Sequence, residues 1–226
     1  MVRVDKKEKW FSPMNIFVAI LIAILIISAS VTVALFDRGS YERLQAGLGL
    51  SEAAGMPETE LMENYNALID YNSVFFTGPL EFPTLPMSEA GRVHFAEVKA
   101  IFSALQIMLI VSAVLTAVFG VLLLKKRRLR FIAFGGILTL AIPAFIVCVM
   151  AATGWDRFFV LFHQVFFNND FWVFDSVTDP VILILPDAFF LDCLIRIVAG
   201  IVIPAVILIV VPILLRRKIP DKVRQD

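Results

Sequence analysis

Four long stretches of this sequence carry almost no charge, and the segments between them are polar, aromatic or broken by proline and glycine. The stretches cover residues 14–36, 100–124, 131–152 and 194–215. Each reaches or exceeds the roughly 20 residues a helix needs to cross the hydrocarbon core of a bilayer. In that core every backbone amide must be satisfied within its own segment, and four isolated spans cannot close a barrel. The pattern therefore predicts an all-α polytopic membrane protein with four transmembrane helices. It is read as one membrane domain over residues 1–226. The first span is longer than the about 7–15 apolar residues of a secretory signal, so it is expected to stay as an anchor.

The charges between the spans set the expected topology. Arg3, Lys6, Lys7 and Lys9 precede the first span. Lys125, Lys126, Arg127, Arg128 and Arg130 separate the second and third, and Arg216, Arg217, Lys218, Lys222 and Arg224 follow the fourth. Basic residues gather on the cytoplasmic side, which puts residues 1–13, 125–130 and 216–226 in the cytoplasm, with both termini. The connections 37–99 and 153–193 then face outward, and they hold most of the acids. The chain is 59% hydrophobic with mean hydropathy +0.86, which excludes an ordinary soluble domain, and its zero net charge gives no reason to expect a nucleic-acid partner.

Both outward connections are expected to carry structure. Pro57 and Glu58 suit a helix start, and Leu61, Tyr65, Leu68 and Ile69 follow at helical spacing. The prolines between Gly78 and Pro86 impose a loop. Ser88 reads as an N-cap, from which one helix runs into the second span. It carries His94 and Glu97 on one face, with His94 roughly 9 Å beyond Ala100. In the second connection the run 158–174 is aromatic yet holds His163, Asn168, Asn169 and Asp170, and it is too short to span with ease. It is expected to be interfacial or re-entrant. A turn-rich break with Asp175 and Asp179 follows. Cys148 and Cys193 are read as buried thiols. Arg196, four residues after Asp192, has two open readings: simple neutralisation by that acid, or an anchor for a carboxylate in a site.

His94 and His163 are the only histidines in the chain. Both fall on outward segments near the membrane boundary, where an imidazole exchanges protons near neutral pH. There is no nucleophile elbow, zinc-protease motif or nucleotide-binding glycine loop.

The sequence resembles the lipoprotein intramolecular transacylases (Lit) of Gram-positive bacteria. The likeness is carried by "NYNALIDYN" (64–72), "SEAGRVHFAEVKAIF" (88–102) and above all "FHQVFFNNDFWVFDSVTDPVILILPDAFF" (162–190). The family pattern has Asp where this chain has Glu97, and Pro where it has Ser176. The resemblance implies an acyltransferase of the bacterial plasma membrane with its active face extracellular. It would move the sn-2 acyl chain of an S-diacylglyceryl-cysteine lipoprotein to that cysteine's α-amine, giving the lyso-form, with no metal or cofactor. His94 and His163 are the expected catalytic pair, with Glu97, Asp175, Asp179 and Arg196 in support. Tyr65, Tyr71, Arg157, Phe166, Phe167 and Trp172 are expected to hold substrate, and membrane lipids are further partners. Rival readings are a lipid-ester hydrolase or other acyltransferase, a divalent-metal site built on the two histidines and neighbouring carboxylates, and a non-enzymatic membrane binding protein.

Overall fold

The computed structural model describes residues 12–125 and 130–217. The basic residues at positions 3–9, 126–128 and 218–224 lie outside them. Ten helices and no strand occur among the described residues: α1 (Pro13–Phe36), α2 (Arg38–Leu48), α3 (Leu50–Ala54), α4 (Glu58–Tyr71), α5 (Glu89–Lys125), α6 (Arg130–Thr139), α7 (Ala141–Thr153), α8 (Trp155–Phe166), α9 (Val181–Ile184) and α10 (Asp187–Arg217). Among the described residues four segments are long and apolar enough to cross a membrane: Pro13–Phe36, Glu89–Lys125, Phe131–Thr153 and Asp187–Pro212.

Local chemistry sets most boundaries. Pro13 occupies the first position of α1, where a missing N–H costs nothing. Asp37 caps α2, accepting from the Ser40 N–H at 3.2 Å. Gly49 and Gly55, both left-handed (φ 63° and 66°), end α2 and α3 as helix C-caps commonly do. Ser88 caps α5, its Oγ accepting from the Gly91 N–H at 3.0 Å. The third span is two helices with a break at Leu140. Pro143 has no N–H to offer the Thr139 carbonyl, and the Leu140 N–H is shared between the carbonyls of Gly136 (3.3 Å) and Ile137 (3.2 Å). The helices α2 and α3 were not anticipated from the sequence. Their apolar positions are few, and α2 is on average polar.

The chain forms two compact units. One takes the chain up to Ser30, Ile107–Cys148 and the chain from Ile197 onward; the other takes Val31–Gln106 and Val149–Arg196. In the first, Val18, Ile22, Leu123 and Phe131 form a small core. Its helices approach closely at glycines: a Cβ on Gly136 would stand 2.6 Å from the Ala205 carbonyl oxygen, and one on Gly135 3.0 Å from Ile22.

The second unit has the larger core. Leu61, Tyr65, Leu68 and Ile69 of α4 pack with Tyr41, Phe95, Val181, Ile184 and Phe189. Tyr41 and Tyr65 stack at 3.6 Å between ring centres, and Phe189 meets both edge-on. The Tyr41 hydroxyl donates to the Ile184 carbonyl at 2.7 Å, so the buried phenol is not an orphan. Asn64 fixes the proline-rich loop: its Nδ2 donates to Thr84 Oγ1 (2.8 Å), and its Oδ1 accepts from the backbone of Thr84 and Leu85.

Candidate active site

The site lies wholly in the second unit. His94 comes from the first turns of α5, before the apolar span begins at Ala100, and His163 comes from α8. On α8 the rings and methyls of Phe162, Val165 and Phe166 are exposed while His163 is 8% exposed. His163 is thus turned inward while these apolar side chains face out, although the other polar residues of α8, Asp156, Arg157 and Gln164, are exposed as usual. The helix ends when the Phe167 N–H donates to the His163 carbonyl at 2.8 Å and the chain becomes extended at Phe167. That turn brings Phe167 back, buried, against both imidazoles.

The two imidazole centres are 6.1 Å apart. Phe167 lies 4.7 Å from His94 and 5.6 Å from His163. Phe174 (5.4 Å) and Phe95 (5.7 Å) complete the wall around His94. Phe159 (4.2 Å), Trp172 (4.6 Å, stacked) and Phe162 (5.5 Å) surround His163. His163 Nδ1 is 2.8 Å from the Phe159 carbonyl oxygen. A carbonyl can only accept, so Nδ1 carries the proton, and in the neutral ring Nε2 holds the free lone pair. His94 is 6% exposed, and its Nδ1 has no hydrogen-bond partner among the described residues. Burial, and secondarily the His163 imidazole, push the His94 pKa down to about 4. Burial also lowers that of His163, against the opposing pull of the Phe159 carbonyl. Both rings are therefore neutral at pH 7, each with one donor and one acceptor.

The carboxylates hold the frame, not the imidazoles. Asp179, 3% exposed, accepts from the Ser88 N–H (2.8 Å) and from the Thr178 hydroxyl (2.9 Å). It thereby ties the second connection to the start of the helix that carries His94. Asp175 accepts from the Val177 N–H at 2.7 Å, and its carbonyl from the Asp179 N–H at 2.8 Å, which closes the turn. Glu97 Oε1 accepts from Asn169 Nδ2 at 2.9 Å. Arg196 donates to Asp192 (2.7 Å), to Asp37 (3.2 Å) and to Cys193 Sγ (3.4 Å), so it is neutralised by two acids. Among the described residues no three His, Cys, Asp or Glu side chains come together as a metal ligand set. Cys148 and Cys193 are free thiols; Cys148 is exposed rather than buried.

Of the residues expected to hold substrate, Phe167 and Trp172 line the histidine pair. Tyr65 is in the tyrosine stack of the core. Tyr71 is buried beneath the Lys99 ammonium, 4.2 Å from its ring centre. Arg157 is exposed and Phe166 is 53% exposed. Three participants were not singled out from the sequence, Phe159, Phe174 and Gly91, and Asn169 was noted only as a polar residue of the aromatic run, with no role. Asn169 makes three bonds, to Glu97, to the Phe171 N–H (3.0 Å) and through its carbonyl to Trp172 Nε1 (3.1 Å). Gly91 was detectable as a glycine placed, at a cost, inside a helix. Its reason is Asp179, whose Oδ1 would stand 2.4 Å from a Cβ there.

The described residues form an all-helical fold with four helices of membrane-crossing length, and a histidine pair is buried among aromatic rings, as in a polytopic membrane protein. Residues 16–190 match the lipoprotein intramolecular transacylase (Lit) family, and the chain belongs to that family of acyltransferases. It is similar to the membrane-integral lipoprotein intramolecular transacylase Lit from Bacillus cereus: 33% identity, TM-score 0.86, over 91% of this chain and 95% of that one. Histidine-to-arginine and histidine-to-alanine variants of that protein match at 32% identity and TM-score 0.81, again over 91% of this chain, covering 91% and 93% of theirs. No curated protein matches the sequence.

Proposed function

We propose that His94 and His163 carry the proton transfers of an O-to-N acyl shift within one lipoprotein molecule. The acyl donor is the sn-2 ester of an S-diacylglyceryl cysteine, and the acceptor is that cysteine's own α-amine. The observation that carries this reading is the pair itself: two neutral imidazoles 6.1 Å apart, one with its tautomer set by the Phe159 carbonyl.

In the proposed reaction His163 Nε2 takes a proton from the α-amine, whose ordinary pKa is near 8. The nitrogen attacks the ester carbonyl, so an N–C bond forms. His94 offers an N–H to the developing oxyanion or to the glycerol oxygen. The C–O bond then breaks, glycerol leaves as its alcohol with a proton returned to it, and the amide remains. Atoms balance without water. Donor and acceptor share one molecule, so holding them in line supplies much of the acceleration. The aromatic wall favours transfer over hydrolysis by keeping water out. Asp175 and Asp179 act as positioning residues, Glu97 supports the site through Asn169, and the exposed Phe166 and Phe162 offer apolar surface to the acyl chains and surrounding lipid.

The charge pattern of the sequence supports cytoplasmic termini, with the histidine pair on the outer face of a bacterial plasma membrane, where such lipoproteins reside. The test is a mass spectrum of one lipoprotein's N-terminal peptide from a bacterium that does not N-acylate its lipoproteins. Wild type is expected to move one acyl group onto the amine with no change in total mass. His94→Ala and His163→Ala are expected to leave the S-diacylglyceryl form. Release of free fatty acid instead would point to a hydrolase and overturn the proposal.

A further inference from the structure

Glu97 stands one helical turn after His94 on α5, on the same face. One of its oxygens is spoken for by Asn169 Nδ2 at 2.9 Å. The other, Oε2, is buried and has no hydrogen-bond partner among the described residues. A buried carboxylate oxygen without a donor is costly, and no basic side chain nearby on α5 relieves it. Lys99 donates instead to the Phe76 carbonyl at 2.9 Å, with its ammonium over the rings of Tyr71 and Phe76. Arg92 reaches Glu89 at 3.5 Å. The loop that carries Asn169 also carries Phe167 and Trp172, which wall the imidazoles. Oε2 is thus free to accept from a molecule that enters beside the histidine pair.

We infer that Glu97 Oε2 binds the substrate's α-ammonium group. The inference rests on the function proposed above. In a diacylglyceryl-cysteine N-terminus the acyl chains and ester groups carry no donor, and the ammonium is the one cation at the reacting end. Glu97 would hold it through the N–H that remains in the amide; a second proton is released to bulk solvent to free the lone pair, and the third passes to His163 Nε2 and on to the glycerol oxygen as the C–O bond breaks. Once acylated, the nitrogen is a neutral amide, so the same carboxylate favours substrate over product.

The experiment uses the purified full-length enzyme and an unreactive lipopeptide whose N-terminal cysteine bears an S-dialkylglyceryl group. Its ether links cannot be transferred. Affinity is measured for the free-amine form and for the α-N-acetylated form, with wild type and Glu97→Gln. The glutamine keeps an oxygen for Asn169 and replaces the free acceptor by an NH2. Wild type should prefer the free amine about tenfold or more, as charge-assisted hydrogen bonds allow. Glu97→Gln should bind both forms equally weakly. A preference that survives in Glu97→Gln overturns the inference. So does a wild type that does not discriminate, a result that needs no variant to fold. Wild type that binds neither form refutes the substrate class of the proposed function itself, a different outcome from loss of discrimination.

Discussion

The backbone N–H of Ser88 donates to Asp179 Oδ1 at 2.8 Å, joining positions 91 residues apart. This bond fixes the start of the helix carrying His94 against the segment that follows His163. Space for it exists only because residue 91 is glycine: a Cβ there would stand 2.4 Å from the same oxygen and 3.3 Å from Met87 Cγ. Alanine in a helix interior ordinarily gains about 1 kcal/mol over glycine. Gly91→Ala is expected to do the opposite, lowering the melting temperature and cutting acyl transfer at least tenfold. A more stable, fully active variant would show that the Asp179 clamp is dispensable.

Asp179 can be tested from the other side. Asparagine still offers an oxygen to the Ser88 N–H, whereas alanine leaves that N–H without its acceptor. The loss costs about 1–3 kcal/mol when a group is left buried and unpaired. Asp179→Asn should therefore retain most activity and Asp179→Ala little, with thermal unfolding in detergent moving in the same order.

The histidine pair gives a pH dependence with a definite sign. His94 is held down to about 4 from an ordinary 6.5 by burial and by His163, and His163 is lowered by burial. The folded protein thus binds fewer protons than the unfolded chain between those values. The stabilisation is complete above pH 6.5 and declines as pH falls through that window toward 4, by an amount on the order of 3 kcal/mol for His94. His94→Phe should flatten this acid-side loss of stability while abolishing transfer. Wild-type activity should persist below pH 6.5 until the imidazoles protonate; an activity limb centred at 6.5 or higher that followed histidine titration would contradict the depressed values.

Away from the histidines, Tyr41→Phe removes the donor to the Ile184 carbonyl. It keeps the ring that stacks on Tyr65. A buried carbonyl left unpaired costs about 1–3 kcal/mol. The variant should unfold earlier yet transfer acyl chains at the wild-type rate per folded molecule, as assayed on a fixed amount of monodisperse protein.

Two glycines in the first unit make a matched pair. Gly136 faces the Ala205 carbonyl oxygen at 2.6 Å from a virtual Cβ, whereas Gly120 has nothing within 4 Å. Gly136→Ala forces helices apart and should destabilise by about 1–3 kcal/mol. Gly120→Ala should be neutral or gain up to about 1 kcal/mol in helix propensity. Equal melting temperatures for the two would argue against close helix contact at Gly136.

Much of the architecture is legible in the chain because a bilayer leaves few choices. Apolar runs of spanning length must become helices, and the Ser88 cap and the proline loop before it obey rules that act over a few residues. Periodicity also marked α4. The same reading put α8 near the interface, but it could not tell which face would be buried, since phenylalanine and histidine here exchange their usual places. The short helices α2 and α3 were hidden because their apolar positions are few, and their ends depend on left-handed glycines whose conformation composition does not reveal.

The sequence by itself determined that the two histidines share one side of the expected topology and that a transacylase-like segment surrounds one of them. Only the tertiary structure decided that their rings lie 6.1 Å apart, that a backbone carbonyl and not an acid orients His163, and that Glu97 turns to Asn169. Local rules reach about one helical turn. These contacts join residues dozens of positions apart, or select among rotamers, and are settled by how the aromatic rings of separate segments fill the space around the two imidazoles.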